Sequence, residues 1–224
     1  MKCFSLIVPI AADKPIYEHE MPFVFSLAPD GVMFCIKAIL GFSLDHFTNI
    51  YFTILKKHDD LYCLSDLFAM QFKRLKLVNA KVVVLDYPTA SQPETIYRTI
   101  LNENITGSIF IKDADCSFAC NDVQPYNSVA IHPLEDLEWV NPQHKSYVNV
   151  DEMFYITNII EKKIVSHYFC AGGYCFEDSK VFIDYYLKLQ DNNGLYLSHI
   201  IYNMLLNKSV FRPIRIKEYI DYGK

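Results

Sequence analysis

GSIFIKDAD, residues 107–115, is a short apolar run that ends in two aspartates separated by one small residue. Ile109, Phe110 and Ile111 have the β-branched and aromatic character of a strand buried on both faces, and Asp113-Ala114-Asp115 follows as its loop. In an open α/β sheet, ligands sit beyond the carboxyl ends of the strands, where two acidic residues can share a divalent cation bound to phosphates. One of the aspartates can instead cap the turn at Cys116-Ser117.

Upstream of this strand the same pattern repeats. CFSLIVPI (residues 3–10), closed by Pro9, reads as the first buried strand, and NIYFTIL (49–55) and KVVVL (81–85) as the next two. Helical segments are expected between them at 32–40, at 60–77 with Asp59 and Asp60 capping the positive end, and at 93–102 with Pro93 in its first turn. Strands alternating with helices predict an α/β fold: one domain over residues 1–224, with a mostly parallel mixed sheet flanked by helices. Beyond residue 120 the pieces are shorter, with strands expected at 128–131, 147–150, 163–165 and 169–176 and helices near 178–190 and 195–207. Residues 211–220 are expected to return as one final strand.

Composition narrows the class. With 224 residues, 51% hydrophobic and 21% charged, the chain can bury one large core and is not disordered. A net charge of −5 offers no electrostatic footprint for nucleic acid, and no run of about 18 uncharged apolar residues suggests a membrane span. The seven cysteines form no C-x-x-C pair and read as small buried hydrophobes, so the expected setting is cytoplasmic.

Further groups with chemical potential lie at loop-like positions. Thr89-Ala90-Ser91-Gln92-Pro93-Glu94-Thr95 carries hydroxyls and an amide suited to a base edge, although Ser91 also suits a helix cap. Glu161-Lys162 places a carboxylate able to accept from sugar hydroxyls beside an ammonium able to meet phosphate; a solvated ion pair is the alternative. Gly172-Gly173-Tyr174 marks a bulge or a close backbone approach to a ligand, and Asp221 ends an apolar run near the carboxyl terminus.

In this order, the strand with Pro9, Gln92 to Thr95, the acidic loop, Glu161-Lys162, Gly172-Gly173-Tyr174 and Asp221-Tyr222-Gly223 resemble the sugar-phosphate nucleotidylyltransferases. The resemblance implies the glycosyltransferase-A-like Rossmann sheet of nucleotide-diphospho-sugar transferases. It implies transfer from a nucleoside triphosphate to a small phosphorylated acceptor with release of pyrophosphate, for surface polysaccharide synthesis. By resemblance, Asp113 or Asp115 with Asp221 would hold Mg2+ or Mn2+, and Pro9, Ala11, Ala12, Gln92, Thr95 and Asp113 would line the nucleotide site. Lys162, Glu161 and Gly172 would meet the acceptor, with Lys162, Asp115 and Lys14 in catalysis.

The family's first loop is glycine-rich, ends in arginine and precedes a Lys-Pro pair. Here Ala11-Ala12-Asp13-Lys14 and Met21-Pro22 stand in those places, so Lys14 becomes the candidate phosphate-facing cation. Asp113-Ala114-Asp115 also fits the acidic loop of metal-dependent glycosyltransferases, and the altered first loop fits a non-catalytic nucleotide-binding relative.

Overall fold

A computed structural model describes residues 3–13, 20–121, 123–137 and 141–222. The first half runs β1 (Phe4–Ile10), α1 (Phe34–Lys37), β2 (Asn49–Leu55), α2 (Lys56–Tyr62), α3 (Leu64–Leu75), β3 (Ala80–Leu85), α4 (Gln92–Asn102) and β4 (Ser108–Lys112). The second half runs β5 (Cys116–Ala119), β6 (Ser128–Pro133), β7 (Ser146–Val150), β8 (Ile156–Glu161), β9 (Tyr168–Phe176), α5 (Ser179–Leu189), α6 (Leu197–Leu206), β10 (Arg212–Arg215) and β11 (Lys217–Asp221).

The main sheet has the order β10-β6-β9-β4-β1-β2-β3. β3, β2, β1 and β4 are parallel, as the alternating half of the sequence predicts; β9 then enters antiparallel against both β4 and β6. Side-chain alternation divides the core in two. Leu6, Val8, Phe52 and Phe110 face a cluster that includes Phe68 of α3, whereas Ile7, Tyr51, Ile109 and Ile111 face one built with α4, α5 and α6. All five residues of β4 are buried, the consequence of a strand covered on both faces.

The helix expected over 60–77 is two helices. Cys63 adopts the left-handed conformation (φ 52°), and the Asp59 carboxylate turns to accept from the Ser65 backbone N–H and hydroxyl, each at 2.7 Å, so the capping carboxylate starts α3 at a break. Asp60 instead pairs with Lys56. Within 32–40 only four residues are α-helical.

Residues 163–165 are not a strand; the strand lies earlier, as β8, and pairs with β7. The expected final strand over 211–220 also divides. β10 joins the main sheet beside β6, and after Ile216 the chain leaves it as β11, which pairs antiparallel with β5 in a separate two-stranded sheet. Glu218 at φ 53° and the register shift between Lys217 and Ile220 mark a bulge that an apolar pattern does not report.

β5 is held from behind by Gly41, whose carbonyl accepts from the Cys120 N–H at 3.0 Å. A β-carbon at Gly41 would collide with the Phe118 carbonyl oxygen, which is backbone and cannot swing aside. Gly41→Ala is therefore expected to cost about 3 kcal/mol or more, the upper end of overpacking costs. Gly194→Ala, with open space around it but φ +69°, should cost about 1 kcal/mol. Urea unfolding of both variants measures the difference, and equal losses would contradict the close approach.

Candidate active site

The acidic loop takes its shape from the residue before it. Lys112 is fully buried, and its ammonium donates to the carbonyls of Asp113 and Cys116, each at 2.8 Å, and to Cys116 Sγ at 3.1 Å. The ring of Phe118 lies 4.8 Å from the same nitrogen. A buried charge is tolerated only when its donors are met, so the chain turns back over Lys112 and carries Asp113 and Asp115 with it.

Gly172, in β9, completes the turn by accepting from the Asp113 N–H at 2.9 Å. At φ +76° a side chain is disfavoured, and a β-carbon would sit 2.7 Å from Asp113 Oδ2 and 2.8 Å from Cys116 Sγ. The close approach suggested by Gly172-Gly173 is thus made by the acidic loop itself.

Two adjoining cavities meet at this loop, at the carboxyl ends of the parallel strands. The first, of about 320 Å³, is walled by Pro9, Ala12, Pro22, Gln92, Asp113 and Asp115. The second, of about 340 Å³, shares Gln92, Asp113 and Asp115 and adds Lys145, Glu161, Lys162, Gly172, Tyr174 and Tyr219. Gln92 Nε2 donates to Asp113 Oδ1 at 2.5 Å, so the amide expected at a base edge also holds the carboxylate at the junction. Burial pushes the Asp113 carboxyl above its ordinary value, the Asp115 charge adds to the rise, and Lys112, Gln92 and Lys145 oppose it.

In the second cavity, Glu161 Oε2 accepts from Ser146 at 2.5 Å and from Ser198 at 2.6 Å, so the carboxylate is aimed rather than freely solvated. Lys162 follows with φ 57°, and its Nζ reaches the Tyr196 hydroxyl at 2.6 Å with the ring 4.6 Å away. That hydrogen bond raises the Lys162 pKa. Lys145 donates to the Tyr219 hydroxyl and to Asp221 Oδ2, each at 2.6 Å.

The sequence-predicted residues separate into three groups. Pro9, Ala12, Gln92, Asp113, Asp115, Glu161, Lys162 and Gly172 line the two cavities. Ala11 and Thr95 are buried behind the wall: the Ala11 carbonyl accepts from the Thr89 N–H at 3.5 Å, and the Thr95 hydroxyl lies 2.6 Å from that of Thr89. Ser91 caps α4 by accepting from the Glu94 N–H. Lys14 and Gly223 lie outside the described residues. Where a Lys-Pro pair would stand, Met21 packs against the core and Pro22 walls the first cavity.

Asp221 is brought to the loop by β11, which sets it opposite Cys116, while the Tyr222 N–H donates to the Asp115 carbonyl at 2.8 Å. Its Oδ2 is nevertheless engaged by Lys145, and among the described residues no three His, Cys, Asp or Glu side chains form a group that could hold a metal ion. The resemblance pairs Asp113 or Asp115 with Asp221; in the structure Asp113 and Asp115 stand together at the junction of the cavities, and the Asp221 carboxylate carries the Lys145 ammonium. A pair fits magnesium, which is commonly held by one or two carboxylates together with substrate phosphates. Burial first, and the Asp115 charge second, raise the Asp113 pKa, and a cation held between the two would offset the second cause.

Sequence reasoning missed Lys112, Lys145, Ser146, Ser198 and Tyr219 as site residues. Lys112 alone carried a signal, as a lysine continuous with an otherwise apolar strand. The serines and Lys145 act through β7 and α6, whose approach to β8 is a tertiary fact.

No protein-family model matches the chain, and no curated protein sequence matches it. Solved structures share its fold. The nucleoside-diphosphate-sugar pyrophosphorylase of Vibrio cholerae RC9 superposes with a TM-score of 0.78 at 14% identity, over 97% of this chain and 95% of that one. The inositol-1-phosphate CTP transferase of T. maritima gives 0.71 at 15% identity, over 98% and 87%. A putative glucose-1-phosphate thymidylyltransferase from Bacillus anthracis gives 0.69 at 17% identity, over 99% and 91%. The nucleotide-diphospho-sugar transferase fold expected from the sequence is thus the fold observed.

The elevated Asp113 pKa has a signed consequence. Its contribution to stability is fully present below the ordinary value of 3.8 and is lost as pH rises through the higher value in the folded protein. Asp113→Asn cannot ionise and keeps an oxygen for Gln92. It should be the more stable protein at neutral pH, with the gap closing as pH falls toward 3.8. Urea midpoints of both proteins across that range test it; a gap independent of pH would contradict it.

Proposed function

We propose that the protein is a nucleotidyltransferase, moving a nucleoside monophosphate from a triphosphate to a sugar phosphate or another small phosphorylated metabolite. The observation that carries this reading is the pair of cavities joined at Asp113 and Asp115. One has apolar walls beside an amide, and the other is polar and holds two ammonium groups. The names of the solved structures that share the fold, which include pyrophosphorylases and an inositol-1-phosphate CTP transferase, point the same way.

In this reading the first cavity takes the nucleotide, between Pro9, Ala12 and Gln92, with Ala11 and Thr95 stiffening the wall behind. The second takes the acceptor, with the aimed Glu161 carboxylate accepting from a hydroxyl and Lys162 meeting the acceptor phosphate, while Gly172 serves the site by letting the acidic loop pack close. A phosphate oxygen of the acceptor attacks the α-phosphorus; the bond to the bridging oxygen breaks, and pyrophosphate carries away the electron pair. No covalent nucleophile on the protein is needed, so catalysis rests on positioning and on neutralising charge. Magnesium or manganese held by Asp113 and Asp115 would supply positive charge to the phosphates. The enzyme would serve surface polysaccharide assembly in the cytoplasm; no helix among the described residues is long and apolar enough to cross a membrane.

A pyrophosphate-release screen of four triphosphates against sugar, inositol and amino-alcohol phosphates tests the reaction. Release from one pair is expected; release of a nucleoside diphosphate from a nucleotide sugar would favour the glycosyltransferase reading, and binding without turnover a non-catalytic one. Within an active pair, Lys162→Ala should raise KM for the acceptor more than for the triphosphate. Gln92→Ala should weaken nucleotide binding by about 1–3 kcal/mol. Equal losses for both substrates in Lys162→Ala would remove that lysine from the acceptor side.

A further inference from the structure

Lys145 is the cation of the cleft that no motif accounts for. Its side chain is only 14% exposed, and its backbone carbonyl accepts from the Lys162 N–H at 2.9 Å, which ties the start of β7 to the end of β8. The ammonium donates to Tyr219 and to Asp221, each at 2.6 Å, with the rings of Tyr219 and Phe169 at 5.2 and 5.9 Å. The contact with Asp221 is an ion pair, and the Tyr219 hydroxyl is the second acceptor of the ammonium.

A lysine ammonium has three N–H donors, and these bonds use two. The group lines the same cavity as Asp113, Asp115 and Lys162. A tie between β7 and β11 would need neither the position on the cavity wall nor a third donor.

We propose that Lys145 is a further catalytic cation of this cleft: fixed by Tyr219 and Asp221, its ammonium fills the cation position beside Asp221 and gives its remaining N–H to a substrate phosphate. The identity of that phosphate rests on the nucleotidyl-transfer reading; the anion site itself does not. The arrangement builds part of the positive charge into the chain and leaves the metal to the Asp113 and Asp115 pair.

The test uses two probes, inorganic pyrophosphate in magnesium buffer and Mn2+ alone, titrated into the full chain and its variants by calorimetry and by electron spin resonance. Lys145→Met should bind pyrophosphate about 10–100-fold more weakly, the loss of one hydrogen bond to a charged group. Lys145→Arg should stay within several-fold of the parent. The same Lys145→Met should bind Mn2+ more tightly, because Asp221 is released to the metal; a purely structural role predicts no such gain. Lys145→Gln, which keeps a donor toward Asp221 and loses the charge, replaces the methionine variant if that one does not fold. Parent-like affinities for both probes in the uncharged variant would overturn the proposal. If pyrophosphate binding depends on Lys145 while no triphosphate and acceptor pair turns over, the anion site stands and nucleotidyl transfer falls. If turnover is found and is untouched in Lys145→Met, transfer stands and this proposal falls.

Discussion

Burying the Lys112 ammonium at the end of β4 costs several kcal/mol unless each of its N–H groups finds an acceptor. Two of the acceptors are carbonyls of the loop that follows, at Asp113 and Cys116. The loop is therefore folded around the charge. Asp113, with its N–H on the Gly172 carbonyl, comes to the junction of the cavities, and Cys116 begins the strand on which β11 pairs. The position of Asp221 follows from that pairing, and the placement of Lys145 follows from Asp221. A single buried cation sets the order of the site from β4 outward.

The parallel half of the fold was legible because it obeys one rule. Strands buried on both faces must be short, apolar and closed by turn residues, so the expected β2 over 49–55 coincides with the observed Asn49–Leu55, and β1 and β4 agree to within a residue at each end; the edge strand β3, exposed at Lys81 and Val84, agrees as closely through its β-branched run. The antiparallel half obeys no single rule. β8 alternates weakly, with Thr157, Asn158 and Glu161 among its residues, because one of its sides is solvent, and the β-rich look of 163–165 outweighed it. The division of 211–220 falls at Ile216, where the chain leaves the main sheet, and β11 then carries a bulge at Glu218, a residue whose type gives no hint of a positive φ.

The site was legible where one residue is enough and hidden where a second must arrive from elsewhere. Asp113, Asp115, Glu161 and Lys162 declare their chemistry by type and by place at strand ends. What they do not declare is their state. Glu161 is clamped by serines from β7 and α6, and Asp221 is engaged by a lysine 76 residues away. Thr95, chemically suited to a base, is consumed by Thr89 and the helix. The altered first loop has a similar logic, since Met21 joins the core where a lysine could not.

Charge accounting around the cavities explains why the site still calls for a cation. Asp113, Asp115 and Glu161 face Lys145 and Lys162 across the second cavity, and Asp221 stands behind Lys145. Lys112 cannot turn to substrate, since its donors are committed to the loop and it has no solvent-exposed surface. With Lys162 partly held by Tyr196 and Lys145 partly compensated by Asp221, these two ammonium groups alone would not offset the charge of a triphosphate placed beside two aspartates. In the proposed nucleotidyl-transfer reading, burial of Asp113 and the neighbouring Asp115 charge disfavour the fully ionised cleft, and a divalent ion entering with the phosphates would relieve the second of these. Under that reading the acidic loop would couple substrate binding to metal binding, although neither aspartate need touch the reacting phosphorus.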